Sequence, residues 1–317
     1  MNPSPAAAVP AGGGEGVVDR GLETELLEAA LASGANVVLE GPPGTGKSTL
    51  LREVAQHRST TFVLVEGNAE LTPARIVGQF DPAQVLTVGY DPEVFVDGPL
   101  LTAMREGGLF YVEELNRVPE ETLNTLLAVM SEREIRVPRL GVVSAAPGFS
   151  VVAAMNPYDA VGTARVSGAI YDRTCRIVMG YQTAEAEEAI TASRAPVPSP
   201  DWTRRAVSMI RASRDHPDLR VGASVRGAID LAGILHQLTA RRGVKAEDWY
   251  AGRDAARVAL SGRVRVEESS PRTAEEVVEE LYVTAFGPEP SDDDADRDEQ
   301  DPSDGGAPPQ PGGPGEA

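Results

Sequence analysis

Gly41-Pro42-Pro43-Gly44-Thr45-Gly46-Lys47-Ser48-Thr49 is the stretch on which the fold turns. Gly41, Gly46, Lys47 and Ser48 occupy the fixed places of the pattern G-x-x-x-x-G-K-[ST]. Before it, residues 36–40 (NVVLE) form a short apolar run that reads as a buried strand. After it, residues 48–55 (STLLREVA) read as a helix. A strand that turns through glycines into a helix aims backbone N–H groups and a helix N-terminus at one spot, which suits an anionic phosphate. Lys47 is placed to reach the β- and γ-phosphates, and the Ser48 hydroxyl to ligate Mg²⁺. The chance alternative, an idle glycine-rich turn, requires pattern, strand and helix to agree by accident. Lys47 and Lys245 are the only lysines in a chain that otherwise uses arginine, and one stands where phosphate chemistry wants it.

Working outward, residues 21–33 carry Leu22, Leu26, Leu27, Ala30 and Leu31 at helical spacing and end before Gly34. Residues 61–66 (TFVLVE) read as the next strand. The segment 67–107 is punctuated by Pro73, Pro82, Pro92 and Pro99, with helices expected over 72–78 and 98–105 and a loop or hairpin insertion over 79–97. Residues 109–114 (LFYVEE) are a third strand ending in two acids, followed by a helix over 119–131. Residues 135–137 and 141–143 flank Pro138-Arg139-Leu140 as a hairpin. Strands over 149–156 and 174–179 follow. Alternating strands and helices imply βαβ units and a parallel sheet. From Thr183 onward helical periodicity dominates, over 183–193, 202–215, 224–241, 246–260 and 274–285. The expected organisation is therefore a leader over 1–16, a nucleotide-binding α/β domain over 17–181, a small all-helical lid over 182–286 and an acidic tail over 287–317. The leader and the tail, rich in Pro, Gly and (in the tail) Asp, are expected to be disordered.

Charge narrows the function classes. The formal net charge is −19. In the tail, ten acidic residues face the single Arg297, so about half of the excess is local. An acidic chain repels a nucleic-acid backbone, which argues against a DNA or RNA motor. No apolar run approaches the roughly 20 residues needed to span a bilayer. Cys175 is alone, which leaves no intramolecular disulfide and no cysteine zinc site; a reducing, cytoplasmic setting is the simplest reading. His57, His216 and His236 show no metal-ligand spacing.

The acidic third strand adds chemistry. One acid at such a strand end can hold Mg²⁺ and the next can polarise an attacking water. Glu113 fits the first role and Glu114 the second; the alternative is a pair of solvated acids. Asn156 ends the fourth strand, at the sheet edge where ligands bind in open parallel sheets. It either hydrogen-bonds the γ-phosphate and the attacking water or serves as a turn residue before Pro157.

Taken in order, GPPGTGKST, LFYVEELNRVPEETLNTLLAVMSEREIRV, VVAAMNP, YDRTCRIVM and GASVRGAIDLA resemble an AAA+ ATPase, and within that superfamily the chain is most similar to the MoxR family. The resemblance covers roughly residues 17 to 285. It implies a P-loop domain with strand order 5-1-4-3-2, a helical lid, and a homo-oligomeric ring, usually a hexamer, with ATP and Mg²⁺ at subunit interfaces. It also implies a partner with a von Willebrand factor A domain and a role in maturing or remodelling a protein client. Carried over residue by residue, Gly41 to Thr49 is Walker A, Glu113 and Glu114 are Walker B, Asn156 is sensor 1 and Arg226 is sensor 2. Arg173 matches the arginine before the fifth strand that reaches a neighbouring subunit, with Arg165 the other candidate; a surface ion pair with Asp172 is the plain alternative for Arg173. The chain departs from the family pattern at Glu113 (usually Asp), Thr174 (usually Phe) and Val225 (usually Pro). The insertion over 79–97 and the hairpin over 135–143 match pore-facing elements, and Tyr90 and Phe95 are either substrate-gripping aromatics or packing residues of the insertion. Trp202 and Trp249 are expected in the lid core. Two further readings stand beside an ATP-driven remodeller: a nucleotide switch that binds ATP without turnover, motivated by Glu113, and a nucleic-acid motor, which the acidity disfavours.

Overall fold

The computed structural model describes residues 18–157 and 168–290. The expected leader over 1–16, the tail beyond 290 and Arg165 lie outside the described residues. The described chain divides into two compact units, residues up to Arg194 with Ser224–Arg226, and Ala195–Ala223 with Gly227 onward.

In the first unit the order is α1 (Gly21–Ala32), β1 (Asn36–Glu40), α2 (Lys47–His57), β2 (Phe62–Glu66), α3 (Pro73–Val77), β3 (Gly78–Phe80), α4 (Pro82–Val88), β4 (Phe95–Asp97), α5 (Pro99–Glu106), β5 (Leu109–Glu113), α6 (Glu120–Glu132), β6 (Glu134–Val137), β7 (Gly141–Ser144), β8 (Ser150–Met155), α7 (Gly168–Asp172), β9 (Thr174–Val178) and α8 (Ala184–Arg194). Five strands form one sheet in the order β2-β5-β8-β1-β9, every pair parallel. Counting these five alone along the chain, the order from the β9 edge is the expected 5-1-4-3-2.

Side-chain alternation explains why helices cover both faces. Successive residues of a strand point to opposite sides of the sheet. Val38, Phe110, Val112, Val151 and Ala153 pack on one side with Ile76, Leu100, Leu101, Met104, Leu126 and Val129 of α3, α5 and α6. Val37, Leu39, Leu109, Tyr111, Val152 and Ala154 pack on the other with Leu27 and Leu31 of α1 and Leu50, Leu51 and Val54 of α2. Continuous apolar strands thus feed two cores at once, as a parallel sheet requires.

The insertion is a hairpin with a helix inside it. Strands β3 and β4 pair antiparallel, Gly78 opposite Asp97 and Phe80 opposite Phe95. Helix α4 between them is capped by Asp81, whose carboxylate accepts the Ala83 and Gln84 N–H groups. No residue of α4 is buried, and its seven residues, starting at Pro82, are too few to show a helical period in the sequence. Phe80 packs edge-to-face on both Tyr90 and Phe95, so these aromatics pack within the insertion. The second hairpin, β6 with β7, sends Arg139 over the Tyr90 ring, 3.6 Å from its centroid.

The second unit is helical: α9 (Pro200–Ala212), most of α10 (Val225–Arg242), α11 (Trp249–Leu260) and α12 (Ala274–Phe286). A short antiparallel ribbon, β10 (Leu219–Val221) with β11 (Arg265–Val266), joins them and lay outside the sequence reading. Trp202, Ile210, Leu231, Leu235, Leu260 and Leu281 lie in its core, with Trp249 packed against it. A capping box between Thr273 and Glu276 starts α12.

Asn36 shows how the centre of the sheet is held at its start. It is buried; its Oδ1 accepts the Val151 N–H at 3.0 Å and its Nδ2 donates to the Arg173 carbonyl at 3.4 Å. One amide therefore satisfies groups of both neighbouring strands. Asn36→Leu keeps the branched shape of the side chain and strands those groups, and should cost about 1–3 kcal/mol of stability. A urea titration should show a lower midpoint at unchanged slope; an unshifted midpoint would contradict this account.

Candidate active site

The loop from Gly41 to Gly46 leaves β1 between the ends of β8 and β9. The Gly41 N–H donates to the Met155 carbonyl at 3.2 Å, and a Cβ on Gly41 would lie 2.1 Å from the Met179 carbonyl oxygen. Only glycine fits such an approach. Pro42 and Pro43 carry the chain outward, with Pro43 exposed. Thr45 is buried, and its hydroxyl donates to the Pro42 carbonyl at 3.0 Å, closing the loop on itself. Gly46 (φ +86°) caps α2, whose first turn holds Lys47, Ser48 and the exposed Thr49.

Lys47 Nζ donates to the carbonyls of Gly41 and Pro42, each at 2.8 Å. Burial pulls its ammonium down from the usual value of 10.5 to about 8; Glu113 opposes the fall, and Arg226 and Arg20 add to it. Ser48 Oγ donates to Glu113 Oε1 at 2.7 Å and lies 3.2 Å from the Tyr111 hydroxyl. Burial pushes the Tyr111 phenol well above its usual value, so it stays protonated. The additional methylene of Glu113, relative to Asp, therefore does not prevent its carboxylate from meeting the Ser48 hydroxyl.

Glu114 stands at φ +54°, ψ +48°, a left-handed conformation that is strained for a side chain with a Cβ. Its carboxylate pairs with Arg117 at 3.1 Å and is partly open to solvent. Asn156 follows directly on Met155, whose carbonyl takes the Gly41 N–H. Ser224–Arg226 groups with this unit. A Cβ on Gly44 would meet Ser224 Oγ at 2.4 Å and Arg226 Cγ at 4.0 Å, so this segment lies against the loop.

Arg173 stands elsewhere. It precedes β9, whose first residue, Thr174, pairs with Asn36 at the start of β1. Its Nε donates to Ser131 Oγ at 2.6 Å and its Nη1 to the Ala169 carbonyl at 3.1 Å, with Asp172 at 3.5 Å. The phosphate loop follows the last residue of β1, so the length of a strand separates the two within one chain.

Two features had no motif to announce them. Arg20, just ahead of α1, is buried and donates to the carbonyls of Thr45 (3.1 Å) and Gly180 (2.5 Å). Glu40, the last residue of β1, is buried between Tyr171, whose hydroxyl donates to Oε1 at 2.5 Å, and Arg176, whose Nε donates to Oε2 at 2.6 Å. A charge at the end of an apolar strand was the one sequence signal for Glu40. Among the described residues, no group of three or more His, Cys, Asp and Glu is arranged to hold a metal, and no helix is long and apolar enough to cross a membrane.

A phosphate loop, a hydroxyl–carboxylate pair beside it and a second acid at the same sheet edge define a P-loop ATPase with the AAA+ fold. Residues 36–174 match the family described as AAA domain (dynein-related subfamily). An uncharacterised protein of Staphylococcus epidermidis is 28% identical over 233 residues, covering 70% of this chain and 86% of its own. A Staphylococcus haemolyticus protein is 28% identical over 222 residues, covering 66% and 81%. Among solved structures, a point variant of Thermotoga maritima RuvB superposes with a TM-score of 0.51 at 17% identity, over 74% of this chain and 68% of that one. Brucella abortus NtrX in complex with ADP gives a TM-score of 0.50 at 20% identity, over 73% and 53%. The protein is an ATPase built on an AAA domain, and it binds nucleotide.

The lowered Lys47 value has a measurable consequence. A phosphate beside the ammonium favours its charged form, so ADP binding should take up protons around pH 8. Calorimetry at pH 8 in buffers of different ionisation enthalpy should report an uptake of about half a proton per site. In Lys47→Arg, whose guanidinium does not titrate there, that uptake should vanish; equal uptake in both would rule out Lys47 as its source. In the free protein the sign is opposite to that of a group stabilised by a partner. Lys47 gives up its proton more readily folded than unfolded, so its contribution to stability improves as pH rises between about 8 and 10.5.

Proposed function

We propose that this ATPase is of the MoxR type: a homo-oligomeric ring, hexameric in the simplest form, that hydrolyses ATP with Mg²⁺ to remodel or mature a protein client in the cytoplasm, with a von Willebrand factor A-domain protein as its partner. The observation that carries the chemistry is the 2.7 Å hydrogen bond from Ser48 to Glu113 beside Lys47. It brings a hydroxyl and a carboxylate together, a donor set that fits a hard divalent cation. Ser48 and Glu113 would hold Mg²⁺, whose charge offsets that of the phosphate oxygens.

This chain's groups then divide the work. The backbone of Gly41 to Thr49 cradles the phosphates, and Lys47 turns its ammonium from the Gly41 and Pro42 carbonyls toward the β- and γ-phosphates. Glu114 takes a proton from the attacking water. To do so it leaves Arg117, a partly exposed partner of small energetic weight. Asn156 orients the water and the γ-phosphate, and Arg226 neutralises the γ-phosphate from the Ser224–Arg226 segment. Arg173, or Arg165, completes the neighbouring subunit's site, where a planar guanidinium spreads donors over the phosphate oxygens. The net charge of −19 disfavours nucleic acid as the client.

Glu114→Gln should lower ATP turnover by about 10²–10⁴-fold while preserving ATP binding, since it removes the base and keeps the shape. Turnover per subunit should rise with protein concentration. Glu114→Gln and Arg173→Ala should each be inactive alone and partly active when mixed, because some interfaces then unite an intact base with an intact arginine. Mixtures that stay dead while Arg165→Ala mixtures revive would move the role to Arg165. Tight ATP binding with background phosphate release at every concentration would replace the motor with a nucleotide switch.

A further inference from the structure

We infer that Arg20 is a positioning residue for phosphate binding, acting through the Thr45–Gly46 peptide. Arg20 is 5% exposed and sits at the start of α1, far in sequence from the loop it serves. Its Nη2 spans two backbone oxygens, Thr45 at 3.1 Å in the loop and Gly180 at 2.5 Å after β9. Its Nη1 is neutralised by Glu23 at 2.7 Å. Gln182 Nε2 lies on the same Thr45 oxygen at 3.4 Å. The segment bearing Arg20 is pinned again by Asp19, whose Oδ2 accepts the Thr183 N–H at 3.1 Å.

The peptide bond transmits this restraint. In a trans peptide the carbonyl and the following N–H lie in one plane and point in opposite directions. With the Thr45 carbonyl held inward by Arg20 and Gln182, the Gly46 N–H is directed the other way, toward the mouth of the loop. Glycine at this position has φ +86° and low intrinsic resistance to peptide rotation, so an external hold on the carbonyl matters. Preorganised N–H groups bind an anion without first paying to order themselves. Arg20 also adds positive charge near Lys47, and its own Nε is buried with no hydrogen-bond partner among the described residues. Nothing in the arrangement requires Arg20 to touch nucleotide.

The inference rests on the loop's role as the phosphate site, and the test separates the two. ADP affinity is measured by calorimetry on the full chain for wild type, Arg20→Lys and Arg20→Met, well below each variant's melting temperature. Arg20→Lys keeps the charge but loses the planar fork that lets one nitrogen span the two carbonyls while the other pairs with Glu23. It is expected to bind ADP about tenfold more weakly, and Arg20→Met more weakly still, corresponding to one or more lost oriented contacts. In steady state the loss should appear in the KM for ATP more than in kcat. A folded Arg20→Lys with ADP affinity within twofold of wild type, whatever its melting temperature, would overturn the inference and leave Arg20 a brace of the fold. A wild-type protein that binds no ADP would overturn the phosphate site itself.

Discussion

A sheet whose five strands all run parallel sends every strand's carboxyl end to one edge. The rest of this molecule depends on that constraint. Strand β1 lies between β8 and β9, so the loop that follows it emerges into a crevice walled by the ends of its neighbours. Gly41 is packed against Met155 on one side and Met179 on the other, and Asn156 comes next after Met155. Strand β5 delivers Glu113 and Glu114 to the same edge. The register of the pairs, not the turn sequence alone, puts Ser48 within hydrogen-bond reach of Glu113.

Electrostatics at that edge runs against the charge of the whole. The chain carries −19, yet the loop is lined by Lys47, Arg20 and Arg226. Such a cluster is tolerable because two of the three cations have local oxygen or carboxylate partners: backbone carbonyls and the nearby charge of Glu113 for Lys47, Glu23 and two carbonyls for Arg20. Burial still tells on Lys47, the one group of the three that can shed its proton near neutral pH. An anionic ligand relieves that penalty. The same burial that weakens the free lysine therefore strengthens the site's preference for phosphate.

The fold was readable where pattern and physics coincide. Apolar runs of five or six residues, separated by amphipathic stretches, gave all five parallel strands and the large helices. The loop between β1 and α2 and the strand ends that carry Glu113, Glu114 and Asn156 were readable from spacing. Helix α4 was not, because seven residues starting at Pro82 are too few to show a helical period. The β10–β11 ribbon was not, because two or three residues carry too little pattern to count. Arg20 was invisible for a different reason. Its value lies in which backbone oxygens it meets, 25 and 160 residues away, and no local spacing encodes such a meeting. Glu40 and Tyr171 met across 131 residues in the same way.

The position of Arg173 bears on how many chains make one catalytic unit. It stands at the amino end of β9, while the phosphate loop stands at the carboxyl end of the adjacent β1. Five paired residues at about 3.3 Å each put more than 10 Å between those ends. An arginine side chain cannot close that distance and also keep its bonds to Ser131 and Ala169. The α7 turn ahead of it is tied to β1 through Tyr171 and Glu40, so the element that presents Arg173 is not free to swing toward its own site. If Arg173 takes part in hydrolysis, it does so at another chain's nucleotide. A site completed in that way cannot turn over in a lone subunit, and the parallel sheet that builds one half of it also holds the other half out of reach.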